Sequence, residues 1–304
     1  MLKMLLAASS IVLTLAAPAA AVVPERIDFT IAPARSASGA VQLGLSYRTA
    51  RGGQSQNSGP VAVGELQGLT AAQLASGSGG PVRFRLVRDA GTIDCDGIVR
   101  QQRGTGDCRF VANARFAGEL ARRGVARPSA DQQFQLALHR ANLAVVDELK
   151  RQGYAMPTPE ELVETGIFGV TVAKLRALDA AGYRAGTVDK LVEMSIHGVT
   201  PEYIRDMAAI GPSYRRLPVD QLVEMRIHGV TPTKVGAFAE AGYPNLSRKQ
   251  LIDMAVHGVT PAYVREMAGA GYRNLTPEKL VEMKIFGVNA DMARRANAAV
   301  SRRN

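Results

Sequence analysis

The chain has 304 residues, 46% of them apolar and 5% aromatic, and carries 37 Lys/Arg against 27 Asp/Glu for a net charge of +10. The basic excess is spread along the chain, and its one dense run is terminal (Arg294, Arg295, Arg302, Arg303). With few aromatic rings to stack bases, this excludes nucleic acid as a partner and reads as solubility with a mild attraction to anionic envelope surfaces.

Residues 1–21 read as a secretory signal peptide: one early charge at Lys3, an apolar run from Met4 to about Ala17, and the small-residue end Ala19-Ala20-Ala21. The run is shorter than the roughly 20 residues of a membrane span, and no later segment is apolar enough to cross a bilayer. The expected location is periplasmic or secreted.

Residues 22–113 alternate apolar and polar positions, as in "VRFRLVR" from Val82 to Arg88, between polar clusters such as "RGGQSQNSGP". This predicts a β-rich domain, with strands near Arg26–Ile31, Ala40–Tyr47, Val82–Val87, Thr92–Val99 and Asp107–Val111, joined by hairpins and polar loops. Both cysteines of the chain, Cys95 and Cys108, fall on neighbouring predicted strands across the turn "RQQRGTGD". An exported chain with an even cysteine count points to a disulfide between them, with two buried free thiols as the alternative.

Residues 114–304 repeat one phrase, clearest as "LVEMSIHGVTPEYIRDMAAIG" from Leu191 to Gly211. Its opening leucine returns as Leu162, Leu191, Leu222, Leu251 and Leu280, at intervals of 29, 31, 29 and 29 residues. The closing glycine runs further back, to Gly153 and Gly124, so degenerate copies fill the stretch to about 157 and clear ones begin at 158.

Each unit reads as two short helices. Thr158, Thr187, Ser247 and Thr276 are placed to N-cap the first, and Gly169, Gly198, Gly229, Gly258 and Gly287 to end it in the left-handed conformation. Thr200, Thr231 and Thr260, each followed by proline, are placed to cap the second. Two helices of this length cannot bury an apolar stripe alone, whereas stacked copies bury a continuous core, so the expected fold is α+β: a small β-sheet domain followed by an α-solenoid.

Three sets of residues recur in register. One slot holds rings, His139, Phe168, His197, His228, His257 and Phe286, and reads as structural: packing plus contact with the last helix carbonyls. A shared zinc ion is disfavoured, because ligands on stacked helices start about 8–10 Å apart. A second slot is acidic, Glu164, Glu193, Glu224, Asp253 and Glu282; a third is basic, Arg176, Arg205, Arg265 and Arg294, interrupted by Gly236. The arginines lie away from the apolar stripe and should face solvent, and the acidic and basic slots together read either as a plain solvated face with weak ion pairs or as an interaction surface that docks an elongated acidic partner.

The chain contains no H-E-x-x-H, G-x-S-x-G, G-x-x-x-x-G-K or G-x-G-x-x-G, and no residue stands out as catalytic, metal-binding or cofactor-binding. The phrases "IHGVTPEYIRDM", "MRIHGVTP" and "AVHGVTPAYVREM" resemble repeats in the exported C-terminal part of bacterial β-lactam-sensor-type zinc metallopeptidases and in related exported proteins. The resemblance covers roughly residues 114–304, with a weaker likeness over "RFRLVRDAGTIDCDG" from Arg83 to Gly97. The chain lacks the zinc motif and membrane spans of those peptidases, so what the resemblance implies is a sensory or interaction module of the cell envelope, not a protease.

The expectation is therefore an exported non-enzymatic protein, without cofactor, that binds an envelope protein. The alternative is an envelope hydrolase or small-ligand receptor with a pocket at the junction of the two domains, near residues 110–130.

Overall fold

The computed structural model describes residues 24, 26–34, 39–49 and 52–301, with side chains through 298; the predicted signal peptide lies outside the described residues. The chain divides into two compact units. Of the described residues, those up to Val87, Thr92–Ala112 and Pro128–Phe134 form the first, and Arg88–Gly91, Asn113–Arg127 and those from Gln135 onward form the second.

The first unit is a seven-stranded antiparallel sheet built from β1 (Ile27–Pro33), β2 (Ala40–Arg48), β3 (Gln54–Ala62), β4 (Leu66–Gln67), β5 (Gly80–Arg88), β6 (Gly91–Arg100) and β7 (Arg103–Ala112), in the order β3-β2-β1-β7-β6-β5-β4. Alternation puts Ile27, Phe29 and Ile31 of β1 and Val82, Phe84 and Leu86 of β5 on one buried face, with the charges between them on the other. The rings of Phe29 and Phe84 meet edge-on at 5.1 Å. Gly97 and Gly106 make room for Phe29: a Cβ on either would come within 2.6 Å of its ring.

Two local expectations are corrected. The polar stretch read as a loop, "RGGQSQNSGP", is for the most part strand β3, which pairs with β2 in the register Leu45↔Asn57 and Leu43↔Gly59. As an edge strand it buries only Val61, so it carries no apolar alternation, and its Pro60 is tolerated at an edge. The β6–β7 turn is tighter than expected: Gln101 and Gln102 alone make it, both with positive φ (49° and 60°), and Arg103–Asp107 belongs to β7. The turn still sets Cys95 beside Cys108, with the sulfurs 2.01 Å apart and both side chains buried. A short helix, α1 (Ala71–Ala75), also lies here, nucleated by a capping box between Thr70 and Gln73.

The second unit is a helical array: α2 (Phe116–Arg123), α3 (Ala130–Leu138, whose start belongs to the first unit), α4 (Leu143–Arg151), α5 (Pro159–Ile167), α6 (Val172–Ala180), α7 (Val188–Ile196), α8 (Pro201–Ile210), α9 (Val219–Ile227), α10 (Pro232–Glu240), α11 (Arg248–Val256), α12 (Pro261–Gly269), α13 (Pro277–Ile285) and α14 (Ala290–Ser301). First helices pack on first helices, as α5–α7–α9 and α11–α13, and second helices on second, from α2 and α4 through α6, α8, α10 and α12 to α14. The predicted caps are in place: Thr158, Thr187, Ser247 and Thr276 accept from the backbone of the first helices, and Thr200, Thr231 and Thr260 from that of the second. Gly169, Gly198, Gly229, Gly258 and Gly287 have φ of 65–71°, which glycine adopts without a Cβ penalty.

One core runs through the stack. The leucine slot is buried in every clear copy, as are Met194, Met225 and Met254 beside it and Val170, Val199, Val230 and Val259, each just after the glycine that ends a first helix. Tyrosines then tie each copy to the next. The Tyr214 hydroxyl donates to the Leu246 carbonyl (2.5 Å), Tyr243 to Leu275 (2.6 Å), Tyr203 to Val230 (3.1 Å) and Tyr263 to Val288 (2.9 Å). Burial pushes the Tyr203 phenol up to about 12, so it remains a donor throughout the usual pH range.

The 31-residue interval is explained by the same bond. Gly211 is extended (φ 170°) where Gly182, Gly242 and Gly271 are left-handed, and a single 3-10 turn, Pro212–Tyr214, absorbs the extra residues. Tyr214 thereby makes the bond to the following copy that Tyr243 makes in its own.

Candidate functional site

The recurring side chains are placed by the helix ends just described. All four arginines of the basic slot are exposed, as predicted, but they are not equivalent. Arg176 donates to Glu148 (3.0 Å), Arg294 pairs with Asp291 one turn before it, Arg205 lies 3.6 Å from Asp206, and Arg265 forms no ion pair among the described residues. Glu148 is buried and is also held by Arg151 (2.9 Å from Nε) and Gln152 (2.8 Å), and these hydrogen bonds, Arg151 first, lower its carboxyl to about 2. Arg176 thus anchors one copy to the preceding one, and Arg205 and Arg265 are the freest cations of the set.

The acidic slot is a row of surface ion pairs. Glu193 pairs with Lys190, Glu224 with Arg248, Asp253 with Lys249 (2.6 Å) and Glu282 with Lys279 (2.8 Å); Glu164 forms no ion pair among the described residues. In each pair the cation engages one carboxylate oxygen. Lys190 also reaches Asp220 of the next first helix at 2.7 Å.

The ring slot differs from expectation. Phe168, His197, His228, His257 and Phe286 are C-cap residues, one position past the last helical residue, and their backbone N–H groups bond back to the acidic-slot carbonyls. His139, His197 and His228 are half-buried, His257 is exposed, and Phe168 and Phe286 are 39% and 74% exposed. Core packing therefore does not select a ring here. Burial lowers the His139 pKa, so that imidazole favours its neutral form. Among the described residues, no three His, Cys, Asp or Glu side chains cluster as a metal site would require.

One recurring set escaped the sequence reading. Ile167, Ile196, Ile227, Val256 and Ile285, the last helical residue of each first helix, are 48–57% exposed. Each follows the acidic slot by three residues and precedes the ring by one, so aliphatic, carboxylate and ring share one helix end. The signal was available: five residues beyond the buried leucine is about 140° around a helix, well off the apolar stripe.

In the first unit, the sheet face opposite the core carries a concavity of about 770 Å³ lined by Arg83, Arg85, Asp94, Asp96, Asp107 and Arg109. Arg83 pairs with Asp96, and Arg26 with both Asp107 (2.8 Å) and Asp28 (3.0 Å), raising both guanidinium pKa values. Gln67, Gly68, Phe84 and Cys108 complete its lining. Compared with known proteins, the chain matches no family model, no curated protein and no solved structure.

Proposed function

We propose that this is an exported, non-enzymatic helical-repeat protein that acts as an interaction or sensory module of the cell envelope, binding an acidic protein partner through its repeat surface. The observation that carries the reading is the recurrence of exposed charge at fixed positions of a stacked array, with Arg205 and Arg265 left almost unpaired. Stacked repeats present extended surfaces to partners, and charge returning at each copy provides many weak contacts in place of one reaction centre.

Export is supported by the character of residues 1–21 and by the Cys95–Cys108 bridge, which an oxidising compartment favours. No helix among the described residues is long and apolar enough to cross a membrane. The likeness of the repeats to those of sensor-type metallopeptidases supports an envelope setting and says nothing of catalysis.

The test is affinity capture from an envelope extract with the wild-type chain and with the Arg205→Glu, Arg265→Glu double variant. Reversal sets like charge against an acidic partner and should abolish capture. Equal capture by both proteins would remove these arginines from the interaction surface.

A further inference from the structure

Charge on the open face of the sheet is ordered by strand register. Asp89 and Ala90 alone join β5 to β6, so Arg88 faces Gly91 and, three residues further from the turn, Arg85 faces Asp94. The Gln101–Gln102 turn and the Cys95–Cys108 bridge likewise set Arg109 beside Asp94 from the other flank. Arg85, Asp94 and Arg109 thus form one cross-strand row, and all three line the concavity of about 770 Å³.

The other charges of that concavity are already paired: Arg83 holds Asp96, and Arg26 holds Asp107. Arg85, Asp94 and Arg109 form no ion pair among the described residues. Two guanidiniums flanking one carboxylate leave a positive, negative, positive row with a net charge of +1.

We propose that this row binds an amino dicarboxylate, the chemistry of a free acidic amino acid, with the ligand ammonium at Asp94 and one carboxylate at each guanidinium. The site lies wholly in the first unit and does not rest on the repeat-surface reading.

Complementarity in both the sum and the order of charge selects that ligand. A carboxylate accepts two parallel N–H bonds from a guanidinium, so each arginine fixes one end. The two arginines stand on strands separated by β6, with backbones about 9–10 Å apart, and their long side chains can converge over Asp94 from both sides. An ammonium on the chain that joins the two carboxylates then meets a carboxylate of the protein. A dicarboxylate without the amine would leave Asp94 facing two anions, a diamine would face two guanidiniums, and a zwitterion with one carboxylate would leave one guanidinium unused. Exposed ion pairs are weak, so the attraction of Asp94 for its neighbours yields to the ligand. The volume lies within the roughly 300–1,000 Å³ of small-molecule sites.

The test titrates the full chain with L-glutamate at low salt by isothermal titration calorimetry. Saturable binding is expected, weakened about tenfold or more by Arg85→Gln and by Arg109→Gln, each of which removes a bidentate charge-assisted contact. Glutarate, which has the same carbon chain without the amine, and glutamine, which has one carboxylate fewer, should each bind about tenfold more weakly or worse. Asp94→Asn should remove the preference for glutamate over glutarate, a change of selectivity that a loss of folding does not imitate. Arg83→Gln, whose partner is Asp96, should bind as the wild type does. Titration without saturation overturns the proposal, as does equal binding of glutarate by the wild type. An Arg83→Gln loss as large as that of Arg85→Gln overturns it too, since it would mark a general attraction of anions to the sheet. Capture of an acidic partner by the repeat surface is read in a separate assay and stands whatever this titration gives.

Discussion

Helix α9 offers a direct test of the division between core and exposed apolar residues, because Leu222 (1% exposed) and Ile227 (54% exposed) lie five residues apart on it. Truncating Leu222 to alanine removes buried methyl groups from the continuous core and leaves a cavity, costing about 2–5 kcal/mol. Fully burying an isoleucine contributes about 1.5–3 kcal/mol, so Ile227, with just under half its surface covered, has at most about 1.4 kcal/mol to lose. Alanine's better helix propensity returns about 0.4 kcal/mol of that. For a unit of this size each kcal/mol moves the melting temperature by about 2–4 °C. Leu222→Ala should therefore lower the circular-dichroism melt at 222 nm by about 4–20 °C, and Ile227→Ala by no more than about 4 °C. An Ile227→Ala shift equal to that of Leu222→Ala would mean that the exposed aliphatic row is structural.

Other consequences can be checked separately. Cys95 and Cys108 should resist thiol labelling in the unfolded, unreduced protein, and reduction should cost the first unit about 3 kcal/mol, as expected for closing so short a loop. The Glu148 carboxyl is depressed from its ordinary value to about 2, so its contribution to stability is present above about pH 4.5 and is lost as pH falls toward 2. Melting temperatures from pH 6 to 2.5 should fall more steeply in the wild type than in Glu148→Gln, and parallel curves would contradict the buried network. Tyr243→Phe removes one bond between copies and should cost about 1 kcal/mol in urea unfolding. His228→Phe should change stability by less than about 1 kcal/mol, since Phe286 already holds the equivalent position largely in solvent; a greater loss would show that the imidazole has a specific role.

Much of the helical array was legible because its signals are local and periodic. A threonine followed by proline fixes a helix start within a few residues, and the leucine interval fixes the stacking, so caps and core slots could be named before any coordinate. The sheet was legible where one face is buried, as in β1 and β5, and illegible in β3, where neither face is dry enough to impose alternation. The degenerate copies blur for a related reason: Gln133 takes the place of the slot leucine, and Arg140, with φ 61°, takes the place of the capping glycine.

The candidate surface was legible in its charges and hidden in its apolar part, and the asymmetry has a physical origin. A charged residue that recurs in register is assigned to solvent because burying it would be costly, and the exposed arginines agree. An apolar residue that recurs is assigned to the core by default, although the rule runs one way: buried positions demand apolar side chains, while apolar side chains do not demand burial. Ile196 and His197 show the consequence. The same helix end must supply a left-handed glycine at 198 and a buried valine at 199 to turn the chain into α8, and this carries Ile196, though not His197, out to the rim. Folding therefore makes no demand for burial on Ile196, which is 52% exposed, while the ring beside it stays half-buried in His197 and His228 and turns largely to solvent in Phe286.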